Sequence, residues 1–143
     1  MKRVPLLNYS GKYAQFAPRF RQLELESESW KRLLSFLSDE NVRLKTRFAL
    51  ALKNYNDKRF LNKLEQFNDS FISQDELIKL MRKEVAGIDE IISRQNIIEQ
   101  EQFQLLEKKV ANLRNNIQVA EEQFADLRRQ FDQFQYDSTF GLR

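Results

Sequence analysis

The chain has 143 residues, with 24 Lys and Arg against 21 Asp and Glu for a net charge of +3, and it contains 3 Gly, 2 Pro, no Cys and no His. Without Cys there is no disulfide framework, thiolate nucleophile or Cys-based zinc site, and without His the usual metal ligand and general base are missing. A charged fraction of 31% with so few helix breakers is unusual for a compact mixed fold and points to long helices, while 12 Phe, 4 Tyr and 1 Trp argue against disorder.

Residues 1–17 read as a basic, aromatic N-terminal arm. Residues 1–22 carry Lys2, Arg3, Lys12, Arg19 and Arg21 and no acid, interleaved with Tyr9, Tyr13, Phe16 and Phe20. Cations that meet phosphates beside rings that stack on bases suit a nucleic-acid contact. The phase of the rings, which continues the seam described next, assigns them instead to the helical packing. The basic start is followed only by Val4 to Leu7 before polar residues return, too short a run for a secretory signal. No apolar run approaches the roughly 18 residues that span a bilayer, so a cytoplasmic location is expected.

From Trp30 the apolar positions run Trp30, Leu34, Leu37, Asn41, Leu44, Phe48, Ala51 and Tyr55, a strict alternation of four and three residues that defines a helix seam. The same phase extends back through Ser27, Leu23, Phe20, Phe16, Tyr13 and Tyr9. It is lost at residues 54–57, where Asn, Tyr, Asn and Asp predict a kink or short break, and resumes at Phe60, Leu64, Phe67 and Phe71. Ser73 with Glu76 three residues on fits a capping box, and Asp75 and Glu76 suit the positive end of a helix dipole. These predict a new helix from residue 74, with the seam Ile78, Met81, Val85, Ile88, Ile92, then Phe103, Leu106, Val110, Leu113, Ile117, Ala120, Phe124, Leu127, Phe131 and Phe134. The two halves of that seam differ in phase by four residues across Gln95 to Glu99, the mark of a stutter. Gly87 lies inside the pattern and costs about 1 kcal/mol without ending a helix.

The predicted fold is therefore all-α: a long antiparallel helical hairpin over residues 18–136, with arms at about 18–70 and 74–136 and a C-terminal tail at 137–143. Its turn falls between Ile72 and Ser73, pairing Phe60 with Val85 and Leu64 with Met81 near the turn, and Trp30 with Ile117 and Leu34 with Leu113 farther out. Breaks at both 54–57 and 93–96 give the alternative, a compact four-helix bundle. Asn41, Gln95 and Glu99 in the seam read as a wet, irregular mid-section, with a register device as the other reading of Asn41. Leu33, Phe36, Leu50, Leu52, Ile91, Ile97, Ile98 and Leu105 flank the seam, and two helices cannot cover them all. A homodimer that joins two hairpins into a four-helix bundle is expected.

The acidic pairs Asp89 and Glu90, Glu99 and Glu101, and Glu121 and Glu122 are neighbours on helices and do not face one another, so they read as solvated charge. No catalytic, cofactor-binding or metal site is expected. The function expected is that of a non-enzymatic coiled-coil structural or adaptor protein that binds itself and another protein, with a nucleic-acid-binding arm as the alternative. The residues that matter in the first reading are architectural: Trp30, Leu34, Leu37, Leu44, Leu106, Val110, Leu113, Ile117 and Phe124.

Overall fold

The computed structural model describes residues 16–54 and 58–140. Among these residues there are three long helices, α1 (Ala17–Asn54), α2 (Lys58–Ser93) and α3 (Gln100–Phe140), and one 3-10 turn, Gln95–Ile97, between α2 and α3. Pro18 sits in the first turn of α1, where its missing N–H costs no helical hydrogen bond. Beyond it, Gly87 is the only glycine or proline in these helices, so each runs for as long as its apolar stripe has something to bury against.

That stripe repeats every seven residues in all three helices. Leu23, Trp30, Leu37 and Leu44 are buried in α1, Leu64, Phe71, Ile78 and Val85 in α2, and Leu106, Leu113, Ala120 and Leu127 in α3. Polar contacts between helices give their directions. Arg19 reaches Glu107, Glu26 takes Arg114, Glu40 takes Arg128 and Arg47 reaches Gln135, each pair 88 residues apart, so α1 and α3 run parallel. Ser27 and Lys31 meet Asp89 while Asn41 and Lys45 meet Asp75, so α2 runs antiparallel to α1. The result is an up-down-up bundle with helices roughly 55–60 Å long.

Rings fill both ends of the core. Phe16 stacks on Phe103 with centroids 4.2 Å apart and Phe20 meets the same ring edge-on at 5.6 Å, beside the α2–α3 connection. At the far end Phe48, Phe67, Phe71, Phe131 and Phe134 form a cluster of edge-to-face, stacked and tilted pairs with centroid separations of 5.1–6.3 Å. Such pairs add about 0.5–1.5 kcal/mol each beyond the area they bury.

The hairpin expectation is corrected on its central feature, since residues 72 and 73 lie inside α2 and no turn forms there. Gln74, which the sequence reading left out of the seam, is buried between Phe71 and Ile78 and continues the alternation Leu64, Phe67, Phe71, Gln74, Ile78 without a gap. A capping box contributes about 1 kcal/mol, and the burial of an unbroken stripe of large side chains outweighs it. Phe60, Leu64, Met81 and Val85 therefore belong to one helix and cannot pair across a turn. Trp30 and Ile117 cannot pair antiparallel either, because α1 and α3 are parallel.

The chain reverses at the two places named in the compact alternative. The first lies between Asn54 and Lys58, with residues 55–57 outside the described residues. At the second, the stutter expected in a continuous helix is a true interruption: the 3-10 turn is followed by Ile98 in extended conformation, φ −75° and ψ 138°, with its side chain buried in the core. The Gln102 side-chain carbonyl then accepts from the Glu99 backbone N–H at 3.0 Å and starts α3, half of a capping box written as Glu-x-x-Gln. With no turn at 72–73, two reversals give three helices rather than four.

Both expected terminal segments are shorter than their assigned ranges. Phe16 and Ala17 of the arm are buried in the bundle, and residues 1–15 lie outside the described residues. The tail assigned to 137–143 is helical to Phe140, because Ser138 takes the next seam position and donates its hydroxyl to the Phe134 carbonyl at 2.8 Å. Residues 141–143 lie outside the described residues.

Candidate docking face

Three grooves separate the three helices, and two of them are closed by charge. Along α1/α3 the Arg19 guanidinium donates twice to Glu107, at 2.8 and 2.7 Å, and Arg114 donates twice to Glu26, at 2.5 and 2.7 Å. Arg128 reaches Glu40, and Arg47 bridges Asp132 and Gln135 while lying 5.1 Å from the Phe131 ring centroid. These rungs recur at seven-residue intervals, with Leu33 in the place of the middle one. Along α1/α2, Lys31 pairs with Asp89 at 2.7 Å and Lys45 with Asp75. Exposed pairs contribute about 0–1 kcal/mol each, so their larger effect is to select one helix register over others.

Two carboxylates in these pairs are held below their ordinary range. At Asp75 burial pushes the pKa up, but the hydrogen bonds from Lys45 and Asn41 and the charge of Lys45 outweigh it. At Glu107 the hydrogen bonds from Arg19 lower the pKa and burial opposes them. A carboxylate with a depressed folded pKa adds stability that is fully present above its unfolded value of about 4 and is lost as pH falls through the folded value. Thermal melts should therefore be flat from pH 7 to about 5 and fall steadily from pH 4 to 2. A melting temperature that stays constant down to pH 2 contradicts the assignment of these pairs.

One layer of the core is polar. Asn41 is fully buried, which corrects the expected wet mid-section, and its amide donates to the Phe71 carbonyl at 3.1 Å and to Asp75 at 2.7 Å. Its own carbonyl oxygen and that of buried Gln74 have no hydrogen-bond partner among the described residues. A polar layer of this kind lowers stability and specifies alignment, because any slip places both amides against hydrocarbon.

The third groove, α2/α3, differs in composition. Its clefts are lined by Asp69, Ser70, Ser73, Lys83, Glu84, Gly87, Ile91 and Arg94 on the α2 side and by Leu105, Lys109, Asn112, Gln123, Asp126 and Gln130 from α3, and seven-residue spacing puts Leu80 between Ser73 and Gly87 and Val119 between Asn112 and Asp126 on the same edges. Large apolar side chains stand in the open here: Ile97 is 67% exposed, Leu105 56%, Leu80 54% and Val119 40%. Three clefts follow the groove. One of about 290 Å³ beside the connection is lined by Ile91, Arg94, Ile97, Ile98, Gln102 and Leu105. A second lies against Gly87, Lys109 and Asn112, where a Cβ on Gly87 would meet nothing within 4 Å. A third is lined by Asp69, Ser70, Ser73, Gln123, Asp126 and Gln130. A partly apolar groove between two long helices is the shape that receives another helix.

Of the apolar flank named from sequence, Ile97 and Leu105 stand exposed on this groove, Ile91 is half-buried in its wall and Ile98 is buried. Phe36, Leu50 and Leu52 are exposed on α1, and Leu33 packs on the core. Leu80 and Val119 were not singled out, although each stands two residues after a seam residue, Ile78 and Ile117. Of the basic, aromatic stretch 1–22, Phe16, Arg19 and Phe20 join the bundle itself, and Tyr9 and Tyr13 lie outside the described residues. Asp89 is engaged by Ser27 and Lys31, and Glu90 by Arg94. Among the described residues no three acidic side chains converge as metal ligands would, and no helix is long and apolar enough to cross a membrane. No protein-family model, curated protein or solved structure matches the chain.

Proposed function

We propose that this chain is a non-enzymatic structural or adaptor protein that works through helix-to-helix contact on the α2/α3 face, with self-association of the coiled-coil type as part of that role. The observation that carries the reading is the contrast between grooves: two are bridged by ion pairs, and the third exposes Leu80, Leu105, Val119 and Ile97 along an open row of clefts. Apolar patches of this kind on a small bundle mark contact surfaces. The absence of Cys and His from the chain supports the non-enzymatic part. The cytoplasmic location expected from sequence belongs to the same proposal.

The test is affinity capture from native-cell extract after nuclease treatment, comparing the full chain with a Leu80→Glu, Val119→Glu variant and with a chain lacking residues 1–15. Both substitutions lie on exposed positions, so circular dichroism should show unchanged helicity. Protein capture, of the chain itself or of another protein, that survives nuclease and is lost with the two glutamates supports the proposal. Capture that is lost with nuclease and with residues 1–15, and is indifferent to the glutamates, overturns it in favour of the nucleic-acid reading.

A further inference from the structure

The charges on the α2/α3 face are segregated along its length. Asp69 and Asp126 line the cleft at the aromatic end, Arg94 and Lys109 line the clefts toward the connection, and Lys83 and Glu84 stand side by side nearer the middle. Asp126 pairs with Arg129 of its own helix and Arg94, just past the end of α2, pairs with Glu90, and such exposed pairs exchange at little cost.

The positions of these charges have a common centre. On α2 the midpoint between Asp69 and Arg94 falls between residues 81 and 82, and on α3 the midpoint between Lys109 and Asp126 falls between residues 117 and 118. Phe67 and Phe131 are in contact, with ring centroids 5.1 Å apart. Two heptads onward in α2 and two heptads back in α3 stand Met81 and Ile117, so the two midpoints lie at one level of the bundle. Exposed Leu80 and Val119 flank that level.

Resting on the reading of this face as a docking surface, we infer that its occupant is the same face of a second copy of this chain. The two copies run antiparallel about a two-fold axis at the level of Met81 and Ile117, so that Asp69 meets Arg94 of the copy and Asp126 meets Lys109 of the copy. A two-fold contact requires a self-complementary patch, and this face has Asp69 and Asp126 toward one end, Arg94 and Lys109 toward the other, and between them Leu80 and Val119 beside the adjacent opposite charges of Lys83 and Glu84. The parallel two-fold arrangement lays α2 on α3 of the copy, stacking Asp69 on Asp126, and is opposed by charge. In the antiparallel arrangement Leu80 of one copy arrives level with the stem of Lys83 of the other, about one helical turn from Gly87, beside which the surface is open. A face about 40 Å long and two helices wide, roughly 20 Å, offers on the order of 800 Å² per copy, the size of a stable interface.

The test is sedimentation equilibrium on the full chain and on charge variants, with circular dichroism to confirm the helices. The wild-type chain should be a dimer. Asp126→Lys sets a new cation against Lys109 of the copy at two symmetric sites and should weaken dimerisation about tenfold or more. Asp126→Lys with Lys109→Asp in the same chain reverses both partners and should restore the wild-type constant. A wild-type chain that is monomeric at high concentration, or a double variant no better than the single one, overturns the self-pairing. If the chain is monomeric and yet loses a captured protein on Leu80→Glu with Val119→Glu, the self-pairing is overturned while the docking face stands with a different occupant.

Discussion

Ser73→Pro should destabilise the protein by about 3 kcal/mol or more, because residue 73 lies in the interior of α2 and proline there removes a helical hydrogen bond and clashes with the preceding turn. The side chain of Ser73 is exposed, so no packing change confuses the result. For a chain of this size that loss lowers the melting temperature by about 10 °C or more and takes a large share of a typical folding free energy. In a hairpin turning at 72–73 the same proline would stand at the start of a helix and be tolerated. A melting temperature within a few degrees of wild type would return the turn to that position.

Leu113→Asp should have the larger effect. Leu113 is 1% exposed, and the register that sets Phe103 against Phe20 puts it level with Trp30. The substitution removes a buried side chain worth about 2–3 kcal/mol and brings a carboxylate into hydrocarbon, at a cost of several kcal/mol more. The sum, roughly 5 kcal/mol or more, is comparable with the whole stability of a small domain, so the cooperative thermal transition should vanish and helicity should fall. Retention of the wild-type helical signal and transition would contradict the placement of Leu113 at the centre of the core.

Much of the fold was legible in the spacing of apolar residues. The four-three alternation from Phe16 to Ala51 is the buried stripe of α1, and the series from Leu106 to Phe134 is that of α3. These stripes are legible because burial acts on every turn of a helix and leaves a repeated mark. Chain reversals leave a weaker one. Ser73 and Glu76 carry the residue types of a cap but stand where the stripe continues through Phe71, Gln74 and Ile78, and Gln74 hides that continuity by being polar. The true end of α2, at Ser93, has neither Gly nor Pro, and its signal was the four-residue phase jump that a stutter also produces. Helix direction was harder still. Heptad stripes can be aligned parallel or antiparallel, and the ion pairs that choose between them, such as Arg19 with Glu107, join residues 88 apart.

The docking face was half legible. Ile97 and Leu105 stood out as apolar residues beside the seam, but their membership of one groove with Leu80 and Val119 depends on α2 lying antiparallel to α3. Its contrast with the two ion-paired grooves is a comparison that needs all three helices in place.

The topology that leaves α2/α3 open rests on α1 and α3 running parallel, and one distance tests it. The chain has no Cys, so Arg47→Cys with Gln135→Cys gives two unique positions for spin labels. In the three-helix bundle these side chains touch, Arg47 Nε to Gln135 Oε1 at 3.0 Å, and the labels should lie about 20 Å apart or less once label length is allowed for. In an antiparallel hairpin of arms 18–70 and 74–136 the same residues stand on the order of 50 Å apart, and a distance in that range would contradict the bundle and the face it exposes.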